Sequence, residues 1–273
     1  MNKHSRCLAL VLALAAAGAA ADEKPWQVEA GAGAEYLTSN GQQWTQEDLA
    51  LRSRFAPHSV AELATRHTRR YGQNDDEFGG SVVLPLGTDW LFGASAATSP
   101  THRLLAKDSG SVDLGRRFSG GWLLTGGLSR SLFEIPTGAS GGTTFRLNGE
   151  RYVGDWRFAA GFSHIRLDGG GAADNGGRIQ ADHYFAERGR IGAVLAVGRE
   201  LDIEPDLQGV LSIRVESAAL LGVLPLSPDW GLSWSLGSTR NSDAMVRTGP
   251  NIGRPVGFTY RRNAVHIGVQ HDF

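Results

Sequence analysis

Arginine is the residue type with the most chemistry to offer in this chain. Lysine is scarce, only Lys3, Lys24 and Lys107, against a long list of arginines. Many of these arginines fall opposite apolar neighbours in alternating stretches: Arg157, Arg178 beside Ile179, and Arg214 between Ile213 and Val215. Glu35, Glu62, Asp113, Glu150, Asp182 and Glu216 are available as partners. A guanidinium stays charged and pairs bidentately with carboxylates, which suits a narrow polar interior. Arg157, Arg178, Arg214 and Glu216 are therefore the candidates to line such an interior. Two readings stay open: ladders that only fill and brace it, or a lining selective for anions or sugars. Arg66, Arg69 and Arg70 are the densest cluster, but alternation splits them between two faces.

Nucleophilic catalysis has little support. Ser163-His164 and Asp182-His183 pair the right residue types, yet sequence neighbours on a strand point to opposite faces and form no dyad. The eight histidines are scattered, with neither an HExxH motif nor metal-ligand spacing. Gly141–Gly142 and Gly169–Gly171 carry no phosphate-binding fingerprint. No catalytic, cofactor or metal site is expected.

The elements that must hold these residues are strands. Trp230, Leu232, Trp234 and Leu236 oppose Gly231, Ser233, Ser235 and Gly237; Trp156, Phe158, Ala160 and Phe162 oppose Arg157, Ala159, Gly161 and Ser163. Trp90, Phe92, Ala94 and Ala96 form a third such face. Val265, Ile267, Val269, His271 and Phe273 form a closing one, opposite His266, Gly268, Gln270 and Asp272. A helix would scatter each set around its circumference, whereas period two collects it on one side. Tight turns recur before a tryptophan, at Leu86–Trp90, Phe118–Trp122, Tyr152–Trp156 and Leu226–Trp230, with a degenerate counterpart near Tyr184–Arg190. Between them lie polar, Gly-rich stretches expected to be longer connections: Gly72–Glu77, Thr98–Gly110, Pro136–Gly142, Asp168–Gly177 and Ser238–Gly253.

Short turns on one rim and longer loops on the other are the asymmetry of an outer-membrane barrel. Trp90, Trp122, Trp156 and Trp230 would then form an interfacial girdle. The apolar faces carry no charge, as contact with hydrocarbon requires, since Arg or Lys at the midplane costs about 2–4 kcal/mol. A soluble β-sandwich or propeller would show the same alternation with that face buried in protein instead. Export is expected too. Lys3 and Arg6, the apolar Leu8–Leu14 and the small Ala19–Ala21 read as a signal peptide over residues 1–21, leaving a barrel domain over 22–273. The only cysteine, Cys7, lies in that leader, so the mature chain forms no disulfide. Beyond it no apolar run reaches the length of a helical span, so any membrane crossing must use a closed sheet. A formal charge of −1 offers nothing to attract nucleic acid. Glycine supplies 37 residues, roughly twice the usual share of about 7%.

Fifteen segments alternate, but single-chain bacterial barrels have even strand numbers. Reading 255–273 as one long strand gives fourteen; twelve follows if an early pair lies outside the wall. The expected fold is an all-β, antiparallel, up-and-down transmembrane barrel. Val265, Ile267, Val269 and the terminal Phe273 lie on its closing strand.

Several stretches also resemble the YaiO family of outer-membrane β-barrel proteins. They are VEAGAGAEYL (28–37), the strand at Trp44, RRYGQNDDEFGGSVVLPLGTDW (69–90), RRFSGGW (116–122), GERYVGDW (149–156) and VHIGVQHDF (265–273). The resemblance covers nearly the whole mature chain and implies an outer-membrane location and, in some members, association with polysaccharide export. The N-terminal helical repeats of some relatives have no counterpart here, and the family supplies no site residues to carry over. Expected partners are outer-membrane lipids, the barrel assembly machinery, and a polysaccharide or small hydrophilic solute. The expected role is a passive or export-linked conduit. A non-conducting scaffold whose loops bind partners is the alternative, and a lipid- or glycan-modifying barrel enzyme a third.

Overall fold

The computed structural model describes residues 24–39, 41–135, 138–168, 174–186, 188–204, 209–247, 252–257 and 259–273. The leader read at residues 1–21 lies outside them. The described chain is all strand and turn. In chain order the strands are β1 (Trp26–Leu37), β2 (Gln43–Ala56), β3 (Ser59–Arg70), β4 (Gln73–Leu86), β5 (Trp90–Thr98), β6 (Asp108–Phe118), β7 (Trp122–Ile135), β8 (Gly138–Val153), β9 (Trp156–Leu167), β10 (Asp174–Phe185), β11 (Gly189–Glu204), β12 (Gly209–Pro225), β13 (Trp230–Val246), β14 (Pro255–Val256) and β15 (Tyr260–Asp272).

From β1 to β13 each strand pairs antiparallel with the next, and the ring closes where β1 pairs with β15 and β15 with β13. Fourteen strands form the wall. β14 stands apart: its two residues pair only with Ala244 and Met245 of β13. Pro255 cannot donate to a ladder, and Gly253 takes a φ of +81° just before it. The wall strand therefore begins at Tyr260, not at residue 255 as expected from sequence. Closure leaves no unpaired edge, the condition for a sheet to sit in lipid.

Burial gives the two faces their identities. Val112, Leu114, Leu124, Leu128, Phe145, Leu147, Phe158, Phe162, Leu195, Leu220, Leu236, Val265, Ile267 and Val269 are exposed large hydrophobics on one side of successive strands. The opposite side carries carboxylates and guanidiniums that reach one another across the ring. Arg262 of β15 pairs with Glu200 of β11, three strands away. An apolar outside and a charged inside invert the soluble pattern, so the Leu- and Trp-bearing surface is the one that hydrocarbon covers. This is an outer-membrane β-barrel.

One rim has only tight connections of two to four residues: 57–58, 87–89, 119–121, 154–155, 186–188 and 226–229. Gly121 shows what such a turn demands. Its φ is +75°, and a Cβ there would stand 2.5 Å from the Tyr152 carbonyl oxygen. The start of β1 and the end of β15 meet at this rim, where Trp26 and Phe273 exchange two backbone hydrogen bonds.

The other rim differs from expectation. β4 starts at Gln73, β8 at Gly138, β10 at Asp174, and β13 runs on to Val246. The described parts of four stretches read as loops are therefore mostly ladder; Pro136, Thr137, 169–173 and 248–251 lie outside the described residues. The strands continue past the hydrocarbon into water, where neither face needs apolar residues and alternation fades.

Candidate functional site: the barrel interior

Three groups of side chains shape the interior. The first is in the wall of β8–β10. Arg157 donates from Nε and Nη2 to the two Glu150 oxygens at 2.8 and 3.0 Å, and from Nη1 to Asp182 Oδ2 at 2.7 Å. Gln180 donates to both Asp182 oxygens at 2.9 Å, and Arg178 donates to Gln180. Asp182 is fully buried. It fits because β11 places Gly192 beside it: a Cβ there would stand 2.2 Å from Asp182 Oδ1.

The second group crosses the short-turn rim. Arg52 donates to Glu62 at 3.0 Å and to Gln27 at 2.6 Å; Gln27 donates to Asp272 at 2.8 Å; and Arg188 from the β10–β11 turn pairs with Asp272. Next to this chain is a cavity of about 580 Å³, lined by Gln27, Glu29, Arg52, Arg54, Tyr184, Arg188, Arg190, His266 and Gln270 among others. Its basic groups outnumber its acids.

The third group narrows the opposite rim. Phe133 of β7 packs against Val210 of β12, on opposite sides of the ring, with Ala106 and Leu201 against them. Ala106 belongs to the 99–107 connection, which is tied down from within. The buried Asp75 carboxylate accepts the backbone amides of Arg103, Leu104 and Leu105 at 3.0, 2.6 and 2.8 Å, and Leu104 is itself buried. Nearby, Trp44 is buried between the guanidiniums of Arg70 and Arg262, 4.8 and 5.7 Å from its ring, with Tyr71 edge-on at 5.0 Å.

The four candidates for the lining divide evenly. Arg157 and Arg178 stand on the inner face. Arg214 and Glu216 do not, and the expectation for them is corrected. Glu216 pairs with Arg240 and with Val197, and two positions along come Ala218 and then Leu220 opposite Leu236, which are 50% and 51% exposed. Arg214 and Glu216 thus project outward, 3.3 Å apart. Of the other acids named as partners, Glu35 faces Arg70 and Arg262, Glu62 Arg52, Asp113 Arg146, and Glu150 and Asp182 Arg157. The Arg66–Arg70 cluster splits by parity: Arg66 pairs inside with Glu77 and Arg70 reaches Trp44, while Arg69 registers with Thr45 on the outer face.

The histidine pairs split too. His164 faces out, its Nδ1 2.8 Å from Asn175 Oδ1, with Ser163 on the other face. His183 lies tilted against Trp156 on the outside, ring centroids 4.7 Å apart, while Asp182 is inside. Trp90, Trp122, Trp156 and Trp230 all stand exposed at the short-turn rim; Val265, Ile267 and Val269 are exposed outward on β15, and Phe273 is exposed just past its end. Sequence reasoning missed that arginines share the girdle. Arg116 lies over Trp90 and Phe118 at 5.2 and 5.1 Å, and Arg151 over Trp122 at 5.2 Å. The signal was available, since Arg116 and Arg151 each sit an even number of residues from an outward neighbour.

Neither a family model nor a curated protein matches this chain. Solved structures do. A monoaromatic hydrocarbon channel, CymD, matches with a TM-score of 0.62 at 8% identity, over 91% of this chain and 88% of that one. A bacterial polysaccharide outer membrane secretin matches with a TM-score of 0.54 at 9% identity, over 92% and 99%. OmpT of Vibrio cholerae gives 0.50 at 8% identity, over 91% and 97%. At such identities the likeness is one of fold.

Proposed function

We propose that this barrel is a narrow outer-membrane conduit for small hydrophilic solutes or saccharides, entered from the short-turn side through a vestibule weighted toward anions. The observation that carries this reading is the cavity of about 580 Å³ inside the short-turn rim: of the guanidiniums that face it, Arg52 is paired with Glu62 and Arg188 with Asp272, which leaves Arg54 and Arg190 against Glu29. A barrel braced solid by its own side chains has no need of such a space. Water there keeps the guanidiniums solvated, and their excess charge raises the local concentration of anions. Solved channels and a polysaccharide secretin of similar fold support a transport role at the level of architecture.

The non-conducting scaffold remains a second reading because Phe133 touches Val210 across the far rim. Single-channel recording in planar bilayers separates the two. Small, anion-preferring steps are expected, with the preference weakened by Arg54→Gln together with Arg190→Gln. No conductance at either polarity would remove the conduit.

A further inference from the structure

We propose that Arg214, Arg240 and Arg261 form a binding site on the outside of the barrel for the phosphorylated headgroup of an outer-leaflet glycolipid. Its acyl chains would lie in the adjoining trough.

Register puts all three arginines on the lipid-facing side. Arg240 pairs with Glu216 on β12 and with Arg261 on β15, and Arg214 lies one step beyond Glu216 on the same face. The height of the cluster follows from strand geometry. From Leu224 to Arg214, from Trp230 to Arg240, and from His271 to Arg261, each strand advances by ten residues from the short-turn rim. Ten residues at about 3.3 Å, tilted by about 40°, climb about 25 Å, the height of the apolar band. The three guanidiniums therefore reach the far interface together, where the headgroups of the outer leaflet begin. Buried lower they would cost about 2–4 kcal/mol each, and higher they would meet only water.

Charge and shape agree on the occupant. Glu216 is the carboxylate at contact range, 3.3 Å from Arg214 and 3.9 Å from Arg240, which leaves the three arginines with an excess of two positive charges. Arg214 and Arg240 are more than half exposed, so their donors are free to turn toward a ligand. Arginine presents a fork that fits phosphate oxygens two at a time. Directly beside the cluster is an outer-surface trough of about 820 Å³, lined by Ile179, Leu195, Val197 and Ala218 and bounded by Arg240 and Arg261. Small Gly177 forms part of its floor. A basic group above an apolar channel matches a molecule with a phosphate above hydrocarbon chains, and a free anion would leave the channel unused.

The test uses the full refolded barrel in detergent, titrated with bisphosphorylated lipid A, the same lipid dephosphorylated, or inorganic phosphate, and read by native mass spectrometry. Wild-type protein should retain the phosphorylated lipid, and Arg214→Gln/Arg240→Gln/Arg261→Gln should bind it at least about tenfold more weakly. Dephosphorylated lipid should bind both proteins alike, and Glu216→Gln should bind the phosphorylated form more tightly than wild type. If the triple variant does not fold, Arg261→Gln alone is compared with Arg151→Gln at the opposite rim, and only the former should weaken binding. Equal retention by variant and wild type would overturn the site. Full displacement of the lipid by inorganic phosphate would overturn the assignment to a lipid.

Discussion

Phe133 on β7 and Val210 on β12 touch across the barrel. The five ladders separating their strands make this a contact between opposite walls, not between neighbours. It is the apolar waist of the far rim. Replacing Phe133 with Ala removes one side of it without touching the hydrogen-bonded wall. The expected outcome is a larger single-channel conductance with heat-modifiable gel migration retained, since truncation of a small apolar cluster costs less than the roughly 3–5 kcal/mol of a full core Phe→Ala. An unchanged conductance would place the narrowest point elsewhere.

Asp75 holds the 99–107 connection by accepting three backbone amides. Hydrogen bonds to a charged acceptor contribute about 1.5–3 kcal/mol each, and a buried amide left unpaired costs about 1–3 kcal/mol. Asp75→Ala should release this segment while the wall stays closed. Limited proteolysis of the folded protein would then cut between 99 and 107 in the variant and spare the parent. Cleavage at equal rates would mean the segment is held by its other contacts.

Trp234 lies over Gly222 on the outer face: a Cβ at position 222 would stand 2.8 Å from the indole and 2.7 Å from the Arg190 carbonyl. One of those obstacles is backbone and cannot swing aside. Gly222→Val should cost about 1–3 kcal/mol, typical of overpacking, and shift Trp234 emission. A lower urea midpoint for unfolding in micelles, with the wild-type slope, is the expected readout.

Asp168 sits just beyond β9 and pairs with Arg130 of β7. The hydrogen bond from Arg130 holds its carboxyl below the usual aspartate value. A group depressed in the folded state stabilises it above the unfolded value of about 3.9 and loses that contribution as pH falls through the folded value. The clasp should thus be complete at neutral pH and open as pH falls below the range in which a free aspartate titrates. A carboxyl-carbon NMR titration of Asp168 should show a midpoint below that of a free aspartate, and Arg130→Gln should bring it back up.

How much of this could be read from sequence differs by depth in the membrane. Within the hydrocarbon one constraint acts on every outward residue, so Trp156–Phe162 and Trp230–Leu236 declare both strand and face. Beyond it the constraint lapses. There, charge on a strand no longer implies an inward direction, which is why the sequence pattern points Arg214 and Glu216 to the interior although they lie outside. The same lapse made Ser238–Val246 look like loop when it is ladder. Asp75 illustrates another limit. Its partners lie about thirty residues on, and no local pattern distinguishes a carboxylate that caps a distant loop from one that is merely solvated. Phe133 and Val210 meet only because the ring closes, a relation held by the whole sheet and by no single segment.

A direct measurement addresses the two faces themselves. Leu195 and Ala196 are neighbours on β11, the first exposed on the outer surface and the second on the inner. Leu195→Cys and Ala196→Cys, each carrying an environment-sensitive fluorophore, would be reconstituted in vesicles whose acyl chains bear bromine. Quenching by the brominated chains at 195 but not at 196, alternating onward to 197, is the expected result. Labels at 195 and 197 that no lipid quencher reaches would mean that protein covers the Leu-bearing face, and the barrel described here would be contradicted.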